Sequence, residues 1–551
     1  MLSMITPVLR LAIIASLVIA TAPFALRAQN ATTPPNVQTS HGPVEGLRRE
    51  GVHVFLGIPY ASPPIGERRL APPIQAASWT EPLRATIPPS ACPQLASLDP
   101  AGLASNNEDC LYLNVWSPTQ SGNPPASPSS SPILNPVIVW IHGGGFVEGY
   151  SAARQYDATR LAVAANAVVV TVNYRVGALG FLAASALDDA DARNVSGNYG
   201  LLDLQAALRW VAQDIRQFGG DPGNVTVMGE SAGANSVLGL LASPQSEGLF
   251  HRAIVQSSTD GAHTVPLKRA EQETYAQALQ EIGCGSGAKG TGSGVLACLR
   301  SARVESFLRM TVRPTMVQDG VVLPFDPFEA FRQGRFIKVP VLIGSNAKEN
   351  YLFTARTEAD VLKRAIASSD VPGLLKASFG DRAESVLAQY KPESYVTPST
   401  LIGSALTDRR FSCMANLARN ALAAYVPVYG YQLDIADPVQ QQPLVAGSDL
   451  PNLSYHTTDL GYVFNNDGDA HALSGRHAAL SRMMEGYWTA FAAAGDPNVN
   501  GEAAARVPWR RFTKDEPVVL SISDTPFVKR DFAEEHKCGF WEQSGLVAPT
   551  W

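Results

Sequence analysis

The sequence predicts an α/β protein with a large, mostly parallel central sheet, helices on both of its faces, and a small antiparallel hairpin region near the N-terminus. The first observation is a series of continuous Val- and Ile-rich runs, which suit strands buried on both faces of a parallel sheet. The second is the helix-like pattern between these runs, because strand–helix–strand repetition implies a doubly wound sheet. The strand-like runs lie at residues 136–142, 166–174, 225–229, 251–257, 339–345 and 428–434.

Two stretches show how the element type changes along the chain. Residues 40–61 have a pattern typical of antiparallel hairpin strands. Residues 201–222 instead have apolar residues at helical spacing, and Gly219 and Gly220 end this pattern as a helix C-cap does. The apolar stripe of this predicted helix consists of Leu204, Leu208, Val211, Ile215 and Phe218.

The composition is that of a globular protein, with 45% hydrophobic and 17% charged residues. A net charge of −6 and the lack of a basic run argue against a nucleic-acid or anionic-membrane partner. Residues 1–28 are predicted to be a secretory signal peptide, because an apolar stretch follows Arg10 and ends near a small residue, Ala28. A retained membrane anchor is the alternative. No later segment is apolar enough to span a bilayer, so we expect a soluble mature protein that is secreted or periplasmic.

Residues 29–551 are predicted to form a single domain. The Pro- and Ser-rich segment 117–136 lies between two strand-like runs, which favours a surface loop over a linker. Six cysteines in an exported chain favour disulfides over metal ligands, and none lies in a C-x-x-C pair. Six cysteines allow roughly fifteen pairings, among which spacing does not choose. No metal ion or organic cofactor is expected.

Ser231 lies in a G-x-S-x-G motif between a strand-like run and a helix-like pattern. Gly229 and Gly233 allow a strand to turn directly into a helix, so that the Ser231 hydroxyl would project above the edge of the sheet. The backbone N–H of Ala232 would then lie at a helix N-terminus, aimed at developing negative charge. A plain turn serine is the alternative, but the position between strand and helix favours a nucleophile.

A second motif, IHGGGF at residues 141–146, follows a strand-like run. Three consecutive glycines let backbone amides approach a ligand with no Cβ in the way. A Gly-rich turn without a chemical role is the alternative. Together with an elbow serine, however, this loop has what an oxyanion hole requires. Gly144 and Gly145 are the predicted donors, beside Ala232.

With these motifs the chain resembles the type-B carboxylesterases, the cholinesterase-like group of the α/β-hydrolase superfamily. The resemblance covers nearly the whole mature chain and implies an α/β-hydrolase fold. The matching stretches, in the family's order, are FLGIPYASPPIGERRLAPP (55–73), EDCLYLNVW (108–116), WIHGGGF (140–146), VSGNYGLLDLQAALRWV (195–211), GESAG (229–233), GSNAKEN (344–350) and HTTDLGYVF (456–464).

The resemblance implies the two remaining members of a catalytic triad, Glu349 as the acid and His456 as the base. The order Ser, Glu, His agrees with the geometry of this fold. Two other histidines, His251 and His263, are weaker alternatives for the base. His142 is expected to be structural. The remaining histidines, His41, His53, His471, His477 and His536, are expected to be solvated surface groups.

The resemblance also implies roles for residues around the triad. Ser257 would support the carboxylate of the acid, although a plain strand-end serine is nearly as good an interpretation, and Glu230 would be a further supporting residue. The family usually has glycine after the acid, where this chain has Asn350; asparagine tolerates a left-handed backbone, so the loop could keep its shape. The implied disulfides are Cys92–Cys110, Cys284–Cys298 and Cys413–Cys538.

The implied activity is hydrolysis of a small-molecule carboxylic ester, with aryl or short- to medium-chain alkyl esters favoured. Residues 92–110, the loop inside the first disulfide, contain no aromatic residue. Because aromatic faces hold quaternary ammonium groups, poor turnover of choline esters is expected. Alternatives are a lipase-like enzyme, a toxin- or polyester-specialised esterase and, from another class, a non-enzymatic adhesion protein of the same fold. The oligomeric state is left open.

Overall fold

A mixed sheet of eleven strands forms the centre of the structure. It is seen in a computed structural model, in which the residues from Pro35 onward form one compact unit. The residues that the structure describes are 34–95, 103–119, 133–285, 292–312, 314–442, 444, 447–499 and 507–545. The predicted signal peptide, residues 1–28, lies outside the described residues, and so does most of the predicted Pro/Ser-rich loop.

The strands of the described residues are β1 (Asn36–Gln38), β2 (Pro43–Glu45), β3 (Leu47–Arg49), β4 (Val52–Pro59), β5 (Leu83–Arg84), β6 (Tyr112–Pro118), β7 (Asn135–Ile141), β8 (Val168–Val172), β9 (Gly220–Glu230), β10 (Arg252–Gln256), β11 (Val265–Pro266), β12 (Val317–Gln318), β13 (Val341–Asn346), β14 (Val428–Leu433), β15 (Val519–Ile522) and β16 (Phe527–Lys529).

The large sheet has the strand order β16-β15-β14-β13-β10-β9-β7-β8-β6-β4-β3. Neighbouring strands from β15 to β8 in this order pair in parallel. The remaining pairs, which lie toward the two edges, are antiparallel. Two small sheets accompany it, one of β1, β2 and β5 and one of β11 and β12.

The predicted strands are confirmed. The six strand-like runs correspond to β7, β8, β9, β10, β13 and β14. The predicted N-terminal hairpin is the antiparallel pair β3–β4, in which Leu47 lies opposite Val54. The predicted loop 117–136 is narrower than expected, because β6 runs to Pro118 and β7 begins at Asn135. Residues 120–132 between them are outside the described part of the chain.

The α-helices of the described residues are α1 (Thr159–Ala165), α2 (Gly177–Phe181), α3 (Ser185–Asp188), α4 (Tyr199–Asp214), α5 (Ala232–Ala242), α6 (Leu267–Arg269), α7 (Ala276–Ile282), α8 (Gly292–Ser301), α9 (Val304–Leu308), α10 (Pro327–Arg332), α11 (Tyr351–Arg356), α12 (Val371–Phe379), α13 (Ala383–Gln389), α14 (Pro398–Thr407), α15 (Cys413–Leu422), α16 (Thr458–Val463), α17 (Gly475–Ala494), α18 (Phe532–Glu535) and α19 (Cys538–Gln543).

The helix predicted in residues 201–222 is α4, which continues as a short 3₁₀ turn over Ile215–Phe218. Gly219 caps this turn with φ of 81°, a left-handed conformation that glycine adopts at little cost. The prediction of a glycine C-cap is therefore confirmed. In the described ranges, no helix combines the length and the apolar character needed to cross a bilayer.

Apolar layers cover both faces of the large sheet. In β7, Val139 and Ile141 belong to one buried cluster, which also contains side chains of α4 and α5. The alternate residues Ile138 and Trp140 belong to the other cluster, together with side chains of α17. Successive side chains of a strand point to opposite faces, so a strand covered on both sides reads as a continuous apolar run.

Three disulfides link the described residues: Cys92–Cys110, Cys284–Cys298 and Cys413–Cys538. These are the three pairs that the family resemblance implied, and the pairing is confirmed. The first two close short stretches of chain, with sequence separations of 18 and 14 residues. The third joins α15 to α19 across 125 residues and attaches the C-terminal helices to the body of the fold.

Candidate active site

Ser231 occupies a sharp turn between β9 and α5. The strand ends at Glu230 and the helix begins at Ala232, so a single residue forms the connection. Its backbone has φ of 56° and ψ of −122°, a conformation rare for a residue with a Cβ. The N–H of Ser231 donates to the carbonyl of Gln256 at 2.9 Å, which ties the turn to the neighbouring strand β10. The predicted nucleophile elbow is thus present in the backbone.

The two glycines of the motif allow the close approach that this turn requires. A Cβ on Gly229 would lie 2.5 Å from the carbonyl carbon of Gly233. A Cβ on Gly233 would lie 2.1 Å from the carbonyl oxygen of Ile141, the last residue of β7. A larger residue at either position would therefore separate α5 from the sheet.

The structure brings the three predicted triad residues together. His456 Nε2 lies 2.9 Å from Ser231 Oγ, and His456 Nδ1 lies 2.7 Å from Glu349 Oε2. The backbone N–H of Asn346, at the end of β13, donates to Glu349 Oε1 at 2.7 Å. All three triad side chains are buried. Since a carboxylate accepts hydrogen bonds, it orients the ring with Nδ1 protonated and leaves Nε2 to accept from the serine.

Glu230 is a second carboxyl group in contact with the imidazole, with Oε1 at 3.2 Å from His456 Nε2. Burial raises the pKa of Glu230 to about 8, while the charge of His456 opposes the rise. Burial lowers the pKa of His456, but the charges of Glu230 and Glu349 outweigh this effect and raise it above 6.5. The site therefore stabilises the imidazolium form, which develops when the serine gives up its proton.

The predicted oxyanion loop lies directly over the nucleophile. A Cβ on Gly143 would lie 3.1 Å from Ser231 Cβ, so the turn after β7 touches the elbow. Gly144 and Gly145 have φ of 106° and 61°, which glycine adopts readily. In the described part of the chain, no backbone carbonyl accepts from the N–H of Gly144 or Gly145. Both residues line the same cavity as Ser231 and Ala232, so their amides could bind an oxyanion.

Asp459 is a buried acid that the sequence analysis missed. It lies on the first turn of α16, three residues after His456, and burial raises its pKa. Its Oδ2 accepts from Gln256 Nε2 at 2.6 Å, and its Oδ1 accepts from Asn346 Nδ2 at 3.3 Å. The side chain therefore connects the ends of β10 and β13 behind the triad. The sequence feature that could have identified Asp459 is an acidic residue three positions after the candidate base His456.

The structure does not show the expected contact between Ser257 and the acid. The Ser257 hydroxyl is buried without a hydrogen-bond partner among the described residues.

Asn350 also differs from expectation, because its φ of −77° is right-handed and no left-handed backbone is needed there. It is the N-cap residue of α11 instead, with its N–H donating to Thr407 Oγ1 at 2.9 Å. The loop at Glu349 therefore tolerates asparagine because the backbone there is right-handed. The predicted reason, that asparagine adopts a left-handed backbone, does not apply.

The other histidines lie apart from the triad. His251 Nδ1 accepts from the N–H of Val225 at 3.1 Å, and His263 pairs with Asp326. His142 is buried, and burial lowers its pKa to about 4, although its hydrogen bond to Gly143 acts in the other direction.

Two of the histidines expected at the surface, His41 and His536, are buried. His41 lies near Asp214, and His536 pairs with Asp408. Nearby acids account for their burial.

A cavity of about 930 Å³ opens beside the nucleophile. Two of its wall residues, Phe353 and Phe411, pack against the base, each with its ring centroid 5.1 Å from that of His456. Neither was a predicted site residue, because α11 and the turn before α15 come together here only in the folded chain. Within the described ranges, no cluster of three or more His, Cys, Asp or Glu residues could hold a metal ion.

The fold and the position of the Ser231 turn at the ends of parallel strands are those of the α/β-hydrolase class. The family model described as "Carboxylesterase family" matches residues 33–541, and the chain belongs to this family. It is accordingly a carboxylic ester hydrolase, and small-molecule esters are its substrate class.

Three relatives illustrate the range of the family. Para-nitrobenzyl esterase of Bacillus subtilis (strain 168) is 33% identical over 92% of this chain and 99% of its own length. Fumonisin B1 esterase of Sphingopyxis macrogoltabida is 34% identical over 86% of this chain and 84% of its own. Neuroligin-2 of Homo sapiens is 33% identical over 92% of this chain and 67% of its own.

Proposed function

We propose that the protein is a secreted serine carboxylesterase that hydrolyses aryl and short- to medium-chain alkyl esters through an acyl-enzyme on Ser231. The observation that carries this proposal is the continuous hydrogen-bonded chain from Ser231 through His456 to Glu349, with distances of 2.9 and 2.7 Å. A serine hydroxyl is a weak nucleophile until a base accepts its proton. Here His456 is the base, and Glu349 is the group that orients it.

In the proposed reaction, His456 Nε2 takes the proton of Ser231 as Oγ attacks the ester carbonyl. Glu349 holds the imidazole and stabilises its charge, while the amides of Gly144, Gly145 and Ala232 bind the oxyanion. His456 then gives the proton to the departing alcohol. In the second half, the same nitrogen activates a water molecule that attacks the acyl-enzyme, and Ser231 is regenerated. Each step uses groups that line one cavity, together with Glu349, which orients the imidazole of His456.

The proposed secreted or periplasmic location rests on the three disulfides and on the signal-like sequence of residues 1–28. Disulfides persist in oxidising compartments and are rare where thiols are kept reduced. Mass spectrometry of the exported protein tests this proposal, with an N-terminus near residue 29 as the expected result. An N-terminus that retains residues 1–28 in an exported protein would support the membrane-anchor alternative.

Covalent labelling tests the proposed nucleophile. A fluorophosphonate probe is expected to label the wild-type protein and to leave Ser231→Ala unlabelled, because the probe reacts with an activated serine. Ser257→Ala is the matched control, and this variant is expected to keep the label. An unlabelled wild-type protein with a native thermal midpoint would favour the non-enzymatic adhesion alternative instead.

A series of p-nitrophenyl esters of increasing chain length defines the substrate range. We expect the highest kcat/KM for short to medium acyl chains, and acetylcholine is expected to be a poor substrate relative to an uncharged acetate ester. Preference for long acyl chains at an oil–water interface would support the lipase-like alternative. A relative named fumonisin B1 esterase motivates inclusion of fumonisin B1 as a substrate, and polyester films complete the screen.

A further inference from the structure

Two arginines line the catalytic cavity beside the aromatic wall. The guanidinium carbons of Arg356 and Arg410 each lie 5.8 Å from the ring centroid of Phe353. Phe353 is itself packed against the imidazole of His456. Phe353 therefore contacts both guanidinium groups and the catalytic base, and Arg410 also lies 5.7 Å from the ring centroid of Phe411. These arginine contacts play no part in the acyl-transfer steps.

The positive charge of these arginines is incompletely compensated by neighbouring side chains. Arg410 Nε lies 3.3 Å from Asp260 Oδ1, but the other oxygen of Asp260 is 2.9 Å from Arg409, so one carboxylate serves two guanidinium groups. Arg356 donates to the neutral amide oxygen of Gln442 at 2.7 Å. The ion pairs found among the described residues do not include one of Arg356, although the charges of Glu148 and Asp360 act on it.

Burial is the main influence on Arg356. It lowers the pKa of this guanidinium, because withdrawal from water disfavours the charged form, and the more distant charges of Glu148 and Asp360 partly oppose the effect. Both acids also line the cavity, and they limit the net positive potential there. Among the described residues, Gln442 is the one hydrogen-bond acceptor of Arg356, so this partly desolvated guanidinium retains donors for a planar anion.

We propose that Arg356 and Arg410 form a carboxylate-binding subsite, and that the preferred substrates are esters carrying a free carboxylate a short spacer away from the scissile bond. The inference rests on the proposed esterase function of Ser231. A guanidinium binds a carboxylate through two parallel hydrogen bonds, which orient the ligand as well as hold it. The hydrocarbon spacer of such a substrate would pack on Phe353 and place the ester beside His456.

Matched pairs of substrates test the subsite. On the acyl side, mono-p-nitrophenyl glutarate is compared with its neutral methyl ester, p-nitrophenyl methyl glutarate. On the alcohol side, 4-acetoxybenzoate is compared with methyl 4-acetoxybenzoate. We expect kcat/KM to favour the acid over its methyl ester by about 10- to 100-fold in at least one pair, as charge-assisted hydrogen bonds of ordinary strength would give.

Variants assign this preference to the two arginines. In Arg356→Gln and Arg410→Gln, the acid-to-methyl-ester ratio of kcat/KM is expected to fall about 10-fold or more, and Arg356→Lys should restore part of it. Arg364→Gln is the matched control, because Arg364 pairs with Asp370 outside the cavity and its loss should leave the ratio unchanged. An unchanged ratio in both cavity variants would overturn the inference, as would a wild-type ratio of one or less in both pairs.

A binding measurement separates this inference from the esterase proposal. Calorimetry with glutarate and Ser231→Ala is expected to show binding that Arg356→Gln weakens in the same background. Hydrolysis of the neutral esters without any preference for the acids would remove the subsite and leave the esterase function. Failure to hydrolyse any ester would remove the esterase function, and the subsite would then be decided by glutarate binding alone.

Discussion

His456 is the residue expected to set the pH dependence of hydrolysis. A general base must be neutral to accept a proton, so kcat/KM falls as the pH drops through the pKa of this imidazole in the free enzyme. Burial lowers that pKa, but the negative charges of Glu230 and Glu349 raise it above 6.5 overall. The acid limb of a pH–kcat/KM profile is therefore expected to have its midpoint above pH 6.5. Full activity at strongly acidic pH would contradict the role of His456.

Replacement of Glu230 tests how the site holds that proton. Glu230→Gln removes the acid, 3.2 Å from Nε2, whose negative charge contributes most to raising the pKa of His456, so the midpoint of the acid limb should move to lower pH. Because burial raises the pKa of Glu230 itself to about 8, this acid is only partly ionised near neutral pH, and a modest shift is expected. Glu485→Gln is a matched control, because Glu485 is also buried with its pKa raised to about 7, but it lies on α17 and does not line the cavity. A midpoint that shifts equally in the two variants would argue against a local effect.

At the scale of elements, the junction of β9 and α5 packs closely against the end of β7. Gly233→Ala would place a Cβ 2.1 Å from the carbonyl oxygen of Ile141, which is fixed in the sheet. We expect this variant to lose about 1–3 kcal/mol of stability, as overpacking usually costs, and to react with a fluorophosphonate at least about 10-fold more slowly. Labelling kinetics and the thermal midpoint give the two measurements.

Gly239→Ala is the control for this prediction, because it makes the same change in the same helix. There the added Cβ would meet the sulfur of Met316 at 2.7 Å, at the end of a flexible side chain that can move. Alanine is also the better helix former, so a small change in stability and an unchanged labelling rate are expected. If Gly233→Ala were as active and as stable as this control, the predicted steric clash with the carbonyl oxygen of Ile141 would be contradicted.

The elements that could be predicted are those whose sequence pattern follows from local geometry. The buried run of β8 and the stripe of α4 reflect fixed environments on the two faces of the sheet, and Gly219 reflects a backbone that only glycine adopts easily. The short strands β15 and β16, of four and three residues, were not predicted. Such short segments are held as strands by pairing with β14 and with each other, which a local pattern does not contain.

The residues of the candidate site also fall into two groups, those predictable from the sequence and those that only the folded structure brings together. Ser231 could be predicted because the elbow has its own glycine pattern, and Glu349 and His456 could be assigned only through resemblance to a family. Phe353 and Phe411, by contrast, meet His456 across long sequence separations and belong to no motif. Their positions follow from how helices pack above the sheet, and the placement of Arg356 and Arg410 around Phe353 follows from the same packing.

At the scale of the whole molecule, the disulfide Cys413–Cys538 connects the active-site region to helix α19. It joins α15 to α19 across 125 residues, whereas Cys284–Cys298 spans only 14. Chain-entropy arguments give about 4–5 kcal/mol for a loop of the longer kind and about 3 kcal/mol for the shorter. The double variant Cys413→Ala/Cys538→Ala is therefore expected to be less stable than Cys284→Ala/Cys298→Ala, as measured by the midpoint of denaturant unfolding.

The long disulfide is also expected to affect catalysis, because Phe411 precedes Cys413 by two residues and contacts His456. Asp408, in the same turn, pairs with the buried His536 next to α19, so the C-terminal helices hold this wall of the cavity from behind. Loss of Cys413–Cys538 should lower kcat/KM for p-nitrophenyl esters, while loss of Cys284–Cys298 should leave it close to that of the wild type. Equal activity in the two double variants at a temperature where both are folded would show that the C-terminal attachment stabilises the fold without shaping the site.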